Sequence, residues 1–408
     1  MKKLITFLVV TFFLVMSGFG QTAYIANNND NTVSIINVTT NAVIATIQVD
    51  SGPQGVSVSS DGSKVYVAND ISNTVNVINT TTNSVSATIS VGSGPSGVSV
   101  SPNGTRVYVA NFNDNTVSVI NTVTNSVSAT ISVGSWPDGV CISPDGSKVF
   151  VVNYNDSSIS VINTITNIVS ATIAVGSGPE GIAINSLGSK VYVANWNSNS
   201  ISVINTATNT VSATIPVGSG PEEVTVSPDG NKVYVTNNND NTVNIINTLT
   251  NTVSDTIPVG LYPWSVSVSP DGSKVYVTNN NSNNVSVINT ATNTVSSIIP
   301  TGIQPTSFGN FISTHISSGI QSLTNPTPTI SIYPNPFSTS ATLIINGEIK
   351  DNTHLYIYNI LGEEVKTISI NNQKQITINR DNLVDGMYFY KLITDKNETI
   401  GVGKMVIE

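Results

Sequence analysis

Tyr192-Val193-Ala194-Asn195 decides how this chain folds, because the chain keeps repeating it. The tetrad or a near copy begins at Tyr24, Tyr66, Tyr108, Phe150, Tyr192, Tyr234 and Tyr276, in steps of 42 residues. A proline keeps the same step, at Pro53, Pro95, Pro137, Pro179, Pro221, Pro263 and Pro305. Unbroken self-similarity at this period marks an array of small supersecondary units. Each period holds four short alternating runs, the pattern of strands with one buried face. In the third unit they are residues 97–101, 106–110, 116–120 and 127–131, designated A to D. Pro102-Asn103-Gly104 turns A into B, and the 121–125 stretch, with Asn at both ends, turns C into D. Both turns use residues that tolerate the backbone angles of tight turns. Four antiparallel strands in about 40 residues make a propeller blade.

Counting strands settles the closure. The first B, C and D strands start at Tyr24 with no A strand before them, and an orphan A-like run, residues 305–312, follows the last full unit. One blade is therefore assembled from both ends of the array, which pairs an edge that would otherwise stay open. The expected fold is all-β: a seven-bladed β-propeller over residues 21–313, closed by the C-terminal strand of the repeat region, then a small β-sandwich. Along the A strands large residues such as Val98 and Val100 alternate with small ones, Ser57, Ser99, Cys141, Ala183, Thr225 and Ser267. That alternation suits wedge-shaped blades crowding a narrow axis.

Units such as Tyr108-Val109-Ala110-Asn111 and Tyr234-Val235-Thr236-Asn237 resemble the YVTN-type β-propeller repeats. The hairpin Ser143-Pro144-Asp145-Gly146-Ser147-Lys148-Val149 and the run Val203-Ile204-Asn205-Thr206 belong to the same pattern, over residues 24 to about 312. Asn205 and its equivalents stand where the family usually has Asp, and Leu187 interrupts one hairpin. The resemblance implies the fold and frequent placement outside the cytoplasm, and no single activity.

Residues 1–20 combine Lys2 and Lys3, an apolar run from Leu4 to Met16 and small residues up to Gly20, as in a secretory signal peptide. The run falls short of a membrane span, so the mature chain is expected to carry none. Cys141 is the sole cysteine, which rules out an intrachain disulfide and places it as strand filler. A formal charge of −9, with charged residues at 10%, argues against nucleic acid. Residues 314–329, rich in Ser, Gly and Pro, read as a linker.

From residue 330 the composition changes, and several short alternating strands suggest a β-sandwich. Tyr333-Pro334-Asn335-Pro336-Phe337 resembles the opening of a type IX secretion sorting domain. Tyr358-Asn359-Ile360-Leu361-Gly362, the run from Leu383 through Gly386 to Tyr390, and Gly403-Lys404-Met405-Val406 resemble its later motifs. The resemblance implies that residues 330–408 engage the type IX machinery and address the protein to the outer surface of a Gram-negative bacterium, or beyond it. Gly386 also has a structural reading, as a turn residue before a strand at Met387.

In an up-and-down blade the B–C and D–A loops share one end of the ring. The propeller's basic residues, Lys64, Arg106, Lys148, Lys190, Lys232 and Lys274, all fall at the other end. Acids crowd the first end, Glu223 among them, so that face should attract cations or basic partners. The aromatic residues that break the repeat gather there too: Phe112, Tyr154 and Trp196 in B–C loops, and Trp136, Tyr262 and Trp264 in D–A loops. They are either a surface for stacking on a sugar or peptide, or fillers between neighbouring loops. The residue after the marker proline lies at the axial mouth, where Asp138, Glu180 and Glu222 fall on consecutive blades. They form a solvated acidic rim or converge on a hard cation; no cofactor is implied. No phosphate loop, Cys/His cluster or nucleophile elbow is present, so the expectation is a non-catalytic propeller binding a glycan or protein through this face. A structural envelope role and a polysaccharide lyase or hydrolase are the alternatives.

Overall fold

The computed structural model describes residues 21–313, 329–346, 353–360, 362–370, 373–394 and 399–408. The signal segment 1–20 and all but the last residue of the 314–329 linker lie outside the described residues. Two compact units divide the chain, residues 1–319 and 320–408. Among the described residues no helix is long and apolar enough to cross a membrane.

Six four-stranded antiparallel sheets and one three-stranded sheet form the seven blades of the first unit. The repeating tetrad is the B strand, and each of its residues has a task. The ring at Tyr66, Tyr108, Tyr192, Tyr234, Tyr276 or Phe150 is at most 1% exposed, and the following valine fills the space between sheets. The closing Asn is fully buried and its amide donates to the C strand, as Asn111 does to Ser118 Oγ and Thr116 Oγ1, both at 2.9 Å. A Cβ at Gly92 would meet Asn111 Cγ at 2.6 Å, so that Asn dictates the glycine three residues ahead of the marker proline, which every unit has except the first, where Asp50 stands. In the C–D turn, Asn121 Oδ1 accepts from the N–H groups of Val123 and Thr124, and Asn125 takes a left-handed φ of 49°. Basic side chains clamp neighbouring blades at this end: Lys148 Nζ donates to Thr206 O at 2.9 Å, and Lys274 Nζ to Val38 O at 2.7 Å.

The A strands differ from a plain ladder. Pro137 pairs with Asn153 and Val140 with Val151, leaving one extra residue between them. The same bulge occurs after Pro53, Pro95, Pro179, Pro221 and Pro263. A bulge re-aims a side chain, here the residue just after the proline.

Closure follows the expected route with a break in it. At its two ends the 305–313 segment pairs with the first B strand: Thr306 N–H donates to Ala26 O at 2.8 Å and Tyr24 N–H to Phe311 O at 2.9 Å. Between them Ser307 and Gly309 take positive φ values of 103° and 110°, and the chain swings toward the neighbouring A strand. There Val56 N–H donates to Phe308 O at 3.0 Å and Val58 N–H to Asn310 O at 3.2 Å. Asn310 Oδ1 accepts from Ser267 on yet another blade. Residues 307–310 thus cross the axis as a plug instead of forming a continuous strand. The cause lies in the sequence, where Ser307-Phe308-Gly309 replaces the Gly-Val-Ser that stands at 97–99.

The second unit pairs a three-stranded sheet with a four-stranded one around a single core that includes Leu343, Leu355, Ile378, Leu392 and Met405. Its opening and closing motifs are stitched together: Val406 N–H donates to Asn335 Oδ1 at 2.8 Å, and Asn335 Nδ2 to Lys404 O at 3.2 Å. Phe337 is buried, whereas Tyr333 and Lys404 are exposed. Gly362 turns with a φ of 82°. Gly386 is the first residue of the strand Gly386–Thr394 and not a turn residue ahead of it.

Candidate functional site

At the B–C/D–A end the plug becomes the floor of a well of about 450 Å³. Seven of the nine residues singled out from the sequence line it: Asp138, Tyr154, Glu180, Trp196, Glu222, Tyr262 and Trp264. The other two continue the surface outward. Phe112 stacks on Trp136 with ring centroids 5.4 Å apart, and Trp136 approaches Tyr154 at 6.2 Å. A ribbon of three rings therefore runs over the rim toward the well.

The bulges place the acids. Asp138, Glu180 and Glu222 belong to the A strands Pro137–Ile142, Pro179–Ile184 and Pro221–Val226, not to the loops assigned from the sequence. The bulge turns each one into the mouth. Crowding holds them there, since a Cβ on Gly97 would lie 2.3 Å from Asp138 O, and one on Gly181 would lie 2.5 Å from Glu222 O. Trp264 shares the same bulge position, its carbonyl accepting from Thr236 Oγ1 at 2.9 Å.

Two of the aromatic residues stand at a position that four other blades give to glycine and the last gives to Gln304. Gly52, Gly94, Gly178 and Gly220 have φ between 62° and 74°; Trp136 and Tyr262, at the equivalent positions, have φ of 55° and 53°. A bulky residue there costs roughly 1–2 kcal/mol. Both side chains are nearly half exposed, at 45% and 46%. Trp196, half-buried, packs over Gly220, where an added Cβ would meet its ring at 3.1 Å.

Burial shapes the electrostatics. Asp138 is pushed up to about 6 by burial and by the charge of Asp70, while the Ser96 hydroxyl, donating to it, opposes the rise. Burial raises Glu180 to about 8, with Asp138 adding to the rise. Glu222 goes well above the carboxylate range through burial and the negative charge of Glu180. The interaction between the two glutamates lowers Glu180 and raises Glu222. Among the described residues no group of three or more His, Cys, Asp or Glu side chains is arranged to hold a metal ion.

Sequence reasoning missed Phe308 on the floor and Asn238 in the wall. Asn238 continues the series Phe112, Tyr154, Trp196 one blade further, a signal hidden by the attention given to aromatic residues. Glu223 is corrected. It lies below the plug, in the other half of the axial channel, with 3% exposure, and its Oε1 accepts the Val224 N–H at 3.3 Å. It replaces the glycine of earlier blades, and Thr236 replaces their alanine or valine: Glu223 N–H donates to Thr236 Oγ1 at 3.0 Å. Ser265 and Thr278 repeat this exchange at 2.9 Å.

Residues 331–408 match the secretion system C-terminal sorting domain. Residues 179–285 match the YNCE-like beta-propeller family, and residues 41–168 the family described as lactonase, 7-bladed beta-propeller. Among solved structures, hydrazine synthase of Kuenenia stuttgartiensis is 26% identical with a TM-score of 0.63, the match covering 68% of this chain and 94% of that one. A functionally unknown protein from Desulfotomaculum acetoxidans DSM 771 is 18% identical with a TM-score of 0.61, covering 71% and 99%. No curated protein matches. The chain is a seven-bladed β-propeller protein carrying a secretion system C-terminal sorting domain.

Proposed function

We propose that this is an exported, non-catalytic binding protein whose propeller captures a glycan or protein partner on the end that carries the well and its aromatic rim. The observation that carries the reading is the pair Trp136 and Tyr262, held in a backbone conformation that the other blades give to glycine or Gln304 and left exposed there. Backbone strain of this kind concentrates at functional sites. The sorting domain supports export, and the signal-like residues 1–20 with the type IX motifs favour display at the outer surface of a Gram-negative cell.

The test is an array of glycans and envelope proteins probed with the full chain and with the double variant Phe112→Ala/Trp136→Ala. Capture that the variant loses, at unchanged melting temperature, supports the proposal. A blank array favours the structural envelope role, and polysaccharide turnover lost in Glu180→Gln favours the enzyme.

A further inference from the structure

Resting on the proposal that this end binds a partner, we infer that the axial well takes an organic cation, the alkylammonium or guanidinium head of a basic group. Asp138, Glu180 and Glu222 enter the well from three consecutive blades, and among the described residues no Lys, Arg or His lines it. The propeller's basic side chains are spent elsewhere, on C–D turn carbonyls at the opposite end of the ring: Lys64, Arg106, Lys148, Lys232 and Lys274 all donate there. Among the described residues the three acids share the well with no basic side chain beside them.

The walls point the same way. Tyr154, Trp196, Tyr262 and Trp264 come from different loops and bulges to surround the acids, with Phe308 beneath. Rings on several sides of one small space suit a cation, which is attracted by each aromatic face. A sugar stacks on one platform, and the ribbon outside the well already supplies that.

The independent sign of an occupant is Asn238. It is 1% exposed and lines the well, yet neither its Oδ1 nor its Nδ2 has a hydrogen-bond partner. Buried amides are nearly always paired. An amide that both donates and accepts complements a peptide group, which favours a lysine or arginine side chain on a polypeptide over a free amine.

The experiment follows tryptophan fluorescence of the full chain, since Trp196 and Trp264 lie in the well. The probes are N-acetyl-arginine methylamide, N-acetyl-lysine methylamide, free butylamine, neutral N-acetyl-citrulline methylamide and a neutral oligosaccharide. The expected result is saturable binding of the arginine and lysine probes, with citrulline weaker by about tenfold or more, the loss of one charged contact. Glu180→Gln/Glu222→Gln should abolish that difference without lowering the melting temperature. Butylamine binding as tightly as the lysine probe would assign the site to free amines, and weaker binding would assign it to basic side chains. Either outcome supports the cation. Equal binding of citrulline and arginine, or an unaffected double variant, overturns it. Oligosaccharide binding without cation binding overturns it while leaving the proposed binding face intact. Silence from every probe, together with a blank array, removes both.

Discussion

Replacing Glu180 with Gln should stabilise the propeller, and should do so only above the acid range. In the folded ring Glu180 titrates at about 8 instead of its ordinary 4.5, so the native state keeps a proton that the unfolded chain releases. Unfolding therefore releases a proton between those two values. Stability falls as pH rises from 4.5 to about 8 and levels off above that. At roughly 1.4 kcal/mol for each pH unit of displacement, the ceiling at neutral pH is about 3 kcal/mol. The side chain is only half-buried and its well opens to water, so screening reduces the expected gain to about 1–2 kcal/mol. Gln keeps the shape while removing the charge. For a unit of this size the gain corresponds to about 2–3 °C in Tm. Calorimetry of the full chain and the variant, from pH 4.5 to 8.5, measures it. The reasoning is refuted if Glu180→Gln melts no higher than the parent at pH 8, or if the gain is the same at pH 4.5.

Other consequences can be checked independently. Phe311, fully buried in the closing segment, should cost about 3–5 kcal/mol when cut to Ala, seen as a fall in Tm of about 5–8 °C. Gly181→Ala pushes a methyl within 2.5 Å of Glu222 O, and should cost about 2 kcal/mol and weaken any ligand of the well; denaturant titration and binding assays report both. If a basic probe occupies the well, its affinity should rise with pH up to about 8, because Glu180 must release its proton. Asp138 and Glu222 face the same space, Asp70 acts on Asp138 from outside it and Glu223 lies beneath it, so the variant lacking both Glu180 and Glu222 should weaken that dependence. Asn335→Ala removes the bonds to Val406 N–H and Lys404 O and should leave more protein retained in the cell, measured by surface labelling of intact bacteria.

The repeat made most of this legible. A step of 42 residues fixes what each position faces, so the ends of the ring, the split of charges and the gathering of seven singled-out residues follow from counting. What counting conceals is geometry that arises between blades. The bulge after each proline depends on backbone crowding at the axis, which makes Asp138 a strand residue aimed inward and not a loop residue. Glu223 escaped for a related reason. Its neighbour Glu222 turns up into the well, and the next residue along a strand turns the other way. The plug was hidden because an A-like run was read by its apolar residues, while Ser307 and Gly309 carry the positive φ that breaks it.

That broken segment also sets an order of events. The ring gains its last pairing only when residues 305–313 are present, and in the chain they come directly before the stretch leading to the sorting domain. A polypeptide emerging from its N-terminus therefore has every part needed for ring closure before its address label has been made. Any product cut short ahead of residue 305 is both unsealed and without the sorting domain, so one truncation removes closure and address together.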